Sequence, residues 1–125
     1  MCREDELTRL AVRKSEFFLA DLEGQFGWYA VEAGEEVAGR YLMAADRKVE
    51  ELMERPDAGR PRHFKHPELQ GLRSCLVARP FHRHLIFYPH TETNLDLMRV
   101  MHGARDLPRR LRQPAGAEED LPGPK

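Results

Sequence analysis

Six histidines and a scatter of arginines in the C-terminal half hold most of this chain's capacity for chemistry. His102 ends an alternating segment, Leu95 to His102. An imidazole there titrates near neutrality and would serve a nuclease as general acid or base. Phosphoryl transfer also needs cations around the pentavalent phosphate, and Arg73, Arg79, Arg83 and Arg99 lie in the three apolar segments that read as strands. In a nuclease, His102, Arg83 and Arg73 are the expected catalytic residues. The structural reading of His102, which is preferred, is a hydrogen bond capping the strand's exit toward Arg105 and Asp106. Arg73 and Arg79 share a strand face by parity. A sheet arginine is costly unless paired or exposed, so the strand arginines are expected to line one solvent-facing concavity that receives phosphate or acidic side chains.

Other polar groups carry less. Arg60 and Arg62, with Lys65 nearby, make a basic loop that is either an electrostatic surface or ordinary loop chemistry. Arg109, Arg110 and Arg112 form a basic end. His82 and His84 alternate onto one face and His63 and His66 are three apart, but no cysteine or acidic cluster accompanies them. Zinc usually takes three or four ligands in a closed geometry, so neither a metal nor another cofactor is expected. Trp28 and Tyr29 are expected to pack, with one left at the surface as an anchor for a partner, since aromatic residues are enriched at interfaces.

These side chains need elements to place them. Leu10-Ala11-Val12 is a plausible short first strand. Ser15 is a candidate N-cap, and Phe18, Leu22, Phe26, Tyr29 and Ala33 then mark one helical face. Gly24 and Gly27 weaken this helix and would permit close approach of a neighbour. Ala33-Gly34 ends it, and Ala38, Leu42, Ala45, Val49 and Leu52 mark a second helix that Pro56 closes. So short a connection predicts an antiparallel helical hairpin. A turn-rich loop follows. Leu72–Arg79, Phe81–Tyr88 and Leu95–His102 then read as three strands of an antiparallel meander. The order is β-α-α-β-β-β: an α+β domain, with the hairpin packed on a small, mainly antiparallel sheet.

The 125 residues suit one domain. It is read as residues 1–113, followed by a disordered acidic, Pro- and Gly-rich tail at 114–125. Net charge is −1, but the average conceals an asymmetry. Through Glu54 there are 7 basic and 13 acidic residues, whereas Arg55 to Gln113 holds 12 basic and 5 acidic. A basic C-terminal half suggests an anionic partner, nucleic acid or an acidic protein segment. Two cysteines form no disulfide framework, nothing resembles a signal peptide, and the apolar runs are too short to span a membrane. A cytoplasmic protein is expected.

Several segments carry a family resemblance. His102-Gly103-Ala104-Arg105-Asp106 after the last strand resembles the C-terminal signature of the ParE toxins, a branch of the RelE/ParE superfamily of bacterial type II toxin–antitoxin systems. Ala20-Asp21-Leu22 with Trp28-Tyr29 resembles the family's first-helix pattern, and Glu50 to Pro56 with Gly59-Arg60-Pro61 its second-helix exit. Gly71-Leu72-Arg73-Ser74 and Leu85-Ile86-Phe87-Tyr88 resemble its central strands. The likeness covers about Ser15 to Leu111. It implies the toxin of a plasmid-stabilisation system, neutralised by a ParD-like or other small antitoxin, in an assembly that can be of higher order. Within the superfamily, the His-Gly-Ala-Arg-Asp ending, with no tyrosine after His102, leans to a ParE-like poison of DNA gyrase without turnover of its own. The alternative is a RelE-like, metal-independent nuclease acting on ribosome-bound mRNA. A non-toxic RNA-binding module is the third reading. Trp28, Tyr29, Arg60, Arg62, Arg73, Arg79, Arg83, Arg99, Arg105 and Arg109 are the expected antitoxin or target contacts.

Overall fold

In the computed structural model of the chain, residues 11–89, 91, 93–103 and 111–112 are described. Arg105, Arg109 and the expected tail at 114–125 lie outside them. Strand β1 (Ala11–Lys14) leads into helix α1 (Glu16–Ala33), capped by Ser15, whose hydroxyl accepts from the Phe18 amide at 2.9 Å. Helix α2 (Glu35–Glu54) is continuous over the predicted span. Gly34 alone joins the helices. Its φ of +99° is a conformation L side chains rarely adopt, which is why glycine stands at the hinge.

The buried face of α2 carries Ala38, Tyr41, Ala45, Val49 and Leu52, close to the expected stripe. Helix α1 departs from its stripe: its buried residues are Phe18, Asp21 and Gln25, two of them polar. A Cβ built on Gly27 meets nothing within 4 Å, so close approach is not the reason for that glycine.

Four strands form the main sheet in the order β2 (Arg60–Pro61), β3 (Leu72–Leu76), β4 (His84–Pro89), β6 (Arg99–His102), all antiparallel. Strand β5 (Asn94–Leu97) pairs in parallel with β1. The helical hairpin covers one face, where Ile86, Tyr88, Leu95, Leu97 and Val100 meet Phe18, Tyr41, Val49 and Leu52. On the far face Leu72, Leu85, Phe87 and Met101 pack with Leu69 and Leu111.

The expected strand Leu95–His102 is interrupted at Met98. The Met98 amide donates to the Phe87 carbonyl at 2.9 Å while Arg99 is the register partner of Phe87, so two residues oppose one in a bulge. Parity shifts by one across it. Leu95, Leu97 and Val100 therefore all face the helices, and Met101 goes to the far face. The strands expected to run to Arg79 and from Phe81 are also shorter. The Phe81 amide donates to Ala78 and that of His84 to Phe81, turning the chain between β3 and β4.

Candidate functional site

Strand β2, read from sequence as loop, places the basic pair. Arg60 is the register partner of Ser74, and the Arg62 amide donates to the Leu72 carbonyl at 2.8 Å. Cross-strand neighbours share a face, so Arg60 and Arg62 stand on the far side of the sheet from the helices. Arg62 Nε donates to the buried Ser74 hydroxyl at 2.8 Å, and its guanidinium carbon lies 5.9 Å from the centre of the Phe87 ring. Burial, and next the like charge of Arg60, lower the Arg62 pKa below its ordinary value. Among the described residues neither arginine forms a salt bridge. They border an open groove of about 370 Å³ with Lys48, Ser74, Leu76 and Leu85. Lys48 is already paired with Glu51 at 2.9 Å. Cys75 borders the groove at the sheet edge, but its half-buried side chain, raised above its usual thiol pKa chiefly by burial, packs against the helix-side core. Such a pocket attracts an anion: two cations that form no salt bridge among the described residues stand over an aliphatic floor.

A second polar cluster sits under the helices. Tyr29 Oη lies 2.9 Å from His84 Nε2, and the His84 and His102 rings are 5.0 Å apart between centroids. Burial, then the nearby His102, hold His84 down to about 3, so its ring is neutral. Its Nδ1 is buried without a hydrogen-bond partner. Tyr41, its hydroxyl pushed up chiefly by burial, donates to Gln25 Oε1, and Gln25 Nε2 donates to the Val100 carbonyl at 2.8 Å.

The expected concavity of strand arginines does not form. Arg99 is fully buried and forks onto Asp21, with Nε to Oδ2 at 2.8 Å and Nη2 to Oδ1 at 2.9 Å. Its expected place facing solvent is thus corrected: the bulge swings it off the helix-facing side, and Asp21 supplies the counter-charge that lets it stay inside. Arg73 faces the opposite way from Arg62. It donates to the Gly59 carbonyl at 2.8 Å and lies 3.8 Å from the Asp57 carboxylate, clamping the loop after α2. Tyr88 clamps the same loop, its hydroxyl accepting from the Gly59 amide and donating to the Pro56 carbonyl. Arg79 and Arg83 are exposed in the turn between β3 and β4, not on strands. Trp28 is half-buried, edge-on to Tyr29 at 5.3 Å, and Tyr29 packs inward on Tyr41 and Phe81.

Of the residues expected in a nuclease, Arg83 and His102 come together, the Gly103 amide donating to the Arg83 carbonyl at 3.0 Å, and Arg73 stands apart. His102 is across from His84 at one end of β4, on the helix side, while Arg73 pairs with Tyr88 at the other end. Asp21, Gln25, His84, Lys48 and Ser74 were not anticipated in these roles. The four-residue spacing of Asp21 and Gln25 on the Phe18 side of α1 was their available signal. No group of three or more His, Cys, Asp or Glu is placed to hold a metal among the described residues, and no helix among them is long and apolar enough to cross a membrane.

No curated protein matches the chain. Among solved structures, it resembles one titled "Chromosomal ParDE TA system from P. aeruginosa", with a TM-score of 0.63 at 18% identity. That match covers 78% of this chain and 99% of the other, and supports the fold. The family model described as "ParE toxin of type II toxin-antitoxin system, parDE" matches residues 12–107, which span the hairpin, the whole sheet and the His102-Gly103-Ala104-Arg105-Asp106 ending. The chain belongs to the ParE toxin family of type II toxin–antitoxin systems.

Proposed function

We propose that this ParE-family chain poisons DNA gyrase in the cytoplasm, without catalytic turnover of its own, and that a cognate antitoxin neutralises it. The supporting observation is the match of the ParE toxin family model to residues 12–107, the His102-Gly103-Ala104-Arg105-Asp106 ending included. His102 and His84 lie on the helix side of the sheet, and Arg60 and Arg62 on the far side. In-line cleavage of RNA needs a proton donor or acceptor within hydrogen-bond reach of the phosphate that the cations hold. Arg60 and Arg62 have no such group beside them, and Arg83, whose carbonyl accepts from the Gly103 amide at 3.0 Å, is the cation that a nuclease reading would set beside His102. A target contact at Arg105 or Arg109 belongs to this proposal, as does a higher-order assembly with the antitoxin.

A gyrase supercoiling reaction and a translation reaction, each given the purified chain, test the reading. Lost supercoiling with accumulated cleaved DNA and intact mRNA is expected, and antitoxin should reverse it. Cleaved mRNA whose cleavage is lost on His102→Ala would overturn the proposal in favour of a ribosome-dependent nuclease. A chain that purifies with bound nucleic acid and needs no protein partner would indicate an RNA-binding module.

A further inference from the structure

The last described residues, 111–112, lie on the sheet face that carries the far-side groove. Leu111 belongs to the same apolar cluster as Leu85 and Phe87; Leu85 lines the groove, and the Phe87 ring lies under the Arg62 guanidinium. Arg112 Nε is 3.9 Å from the Glu68 carboxylate, just ahead of β3. Beyond it the sequence carries three consecutive acids, Glu118, Glu119 and Asp120, followed by Leu121.

Groove and tail present matching chemistry in the same order. Moving along β3 away from Glu68, Arg62 stands opposite Leu72 and Arg60 opposite Ser74. Leu76 follows, 52% exposed. Neither arginine forms a salt bridge among the described residues. With Arg62 Nε committed to Ser74, the terminal guanidinium nitrogens remain for a carboxylate. Length permits the contact. Arg112 to Glu118 is six residues, about 20 Å when extended. Leu72 to Leu76 spans about 13 Å. Tethering also raises the local concentration of the carboxylates to about the millimolar range, so contacts that are weak one by one can fill the groove. Pro122 and Pro124 have no amide N–H to give a neighbouring strand, so side chains rather than a backbone ladder make the contact.

We propose that this groove is the seat of the chain's own acidic tail. Glu118, Glu119 and Asp120 meet Arg62 and Arg60, and Leu121 lies on Leu76. An outside anion then reaches the two arginines only by displacing the tail, which makes the contact autoinhibitory for whatever binds there.

Two measurements on the full chain test this. In the first, Arg60→Lys keeps the charge and offers an amine at an exposed position, and a carbodiimide then joins amines to carboxylates that are in contact. Peptide mapping should find position 60 coupled to Glu118, Glu119 or Asp120. The yield should not depend on protein concentration, and it should fall severalfold between low salt and about 1 M salt. In the second, a fluorescent tetraglutamate peptide is titrated onto the chain. Glu118→Gln with Glu119→Gln and Asp120→Asn should tighten its binding about threefold or more, and adding Arg60→Glu should abolish that gain. Coupling of the tail to Lys14 on β1 as readily as to position 60 would show that the tail has no seat and overturn the proposal. So would an absence of coupling, or a peptide that binds neither chain. Yield that grows with protein concentration would give the groove to the tail of a second copy. A gain that survives Arg60→Glu would reduce the tail's effect to net charge. Neither measurement involves gyrase or an antitoxin, so the outcome is independent of the proposed function.

Discussion

Asp21 accepts both arms of the Arg99 fork and the Val100 amide at 3.1 Å inside the core, so one carboxylate ties α1 to β6 through three donors. Removing one partner of a buried pair leaves an uncompensated charge, which costs far more than the pair contributes as a unit. Asp21→Asn should therefore lower stability by about 3–5 kcal/mol in urea denaturation; a loss below about 1 kcal/mol would mean the pair behaves as a solvated one. His84 leads to a prediction in pH. The unfolded chain takes up a proton on this ring as pH falls past about 6.5, whereas the folded chain resists it until about 3. Its contribution to stability is complete above pH 6.5 and is lost progressively between 6.5 and 3. Carboxylates titrate in the same range, so the comparison is with His84→Gln, whose unfolding midpoint should fall less steeply between pH 6.5 and 4. Parallel pH profiles would contradict the buried neutral ring.

At the level of elements, the glycines separate helix propensity from packing. A Cβ on Gly27 in α1 or Gly39 in α2 meets nothing within 4 Å. Each glycine-to-alanine change there should stabilise by up to ~1 kcal/mol, raising the melting temperature. Gly59 is the opposite case. An added Cβ would overlap the Tyr88 phenol, coming within 2.7 Å of Cζ, at the point where Tyr88 also bonds the Gly59 amide. Gly59→Ala should lower the melting temperature, and a rise would show that the loop shifts freely. Much at this scale was legible in the sequence: the α2 stripe, the Ser15 cap and the meander follow from local spacing. The bulge at Met98 was not. Alternation alone extends Leu95-Leu97 straight through Arg99 and Met101, and nothing local announces that the strand leaves β1 to pair with β4. Strand β2 was equally hidden, because two residues carry no period.

For the whole molecule, both sheet faces are cores, and Leu111 returns the chain to the far one. Leu111 is 4% exposed, and its carbonyl accepts from Arg99 Nη1 at 3.4 Å, so Leu111 is tied to the same arginine that Asp21 holds. Leu111→Ala should cost about 2–5 kcal/mol in equilibrium unfolding, as core truncations do; an unchanged midpoint would show that the far-side core closes without it. The sequence by itself determined the element order, the hairpin, the resemblance to the ParE family and the basic character of the C-terminal half. These depend on spacing and composition along the chain. Only the tertiary structure decided which charges are spent and which remain. Arg99 and Arg62 look alike in sequence, each an arginine two residues from an apolar neighbour in a basic region. One is neutralised inside by an aspartate 78 positions earlier, and the other is left at a groove with a serine to orient it. The physical reason is that an ion pair forms wherever packing brings opposite charges together, and a one-residue bulge is enough to choose which arginine that will be.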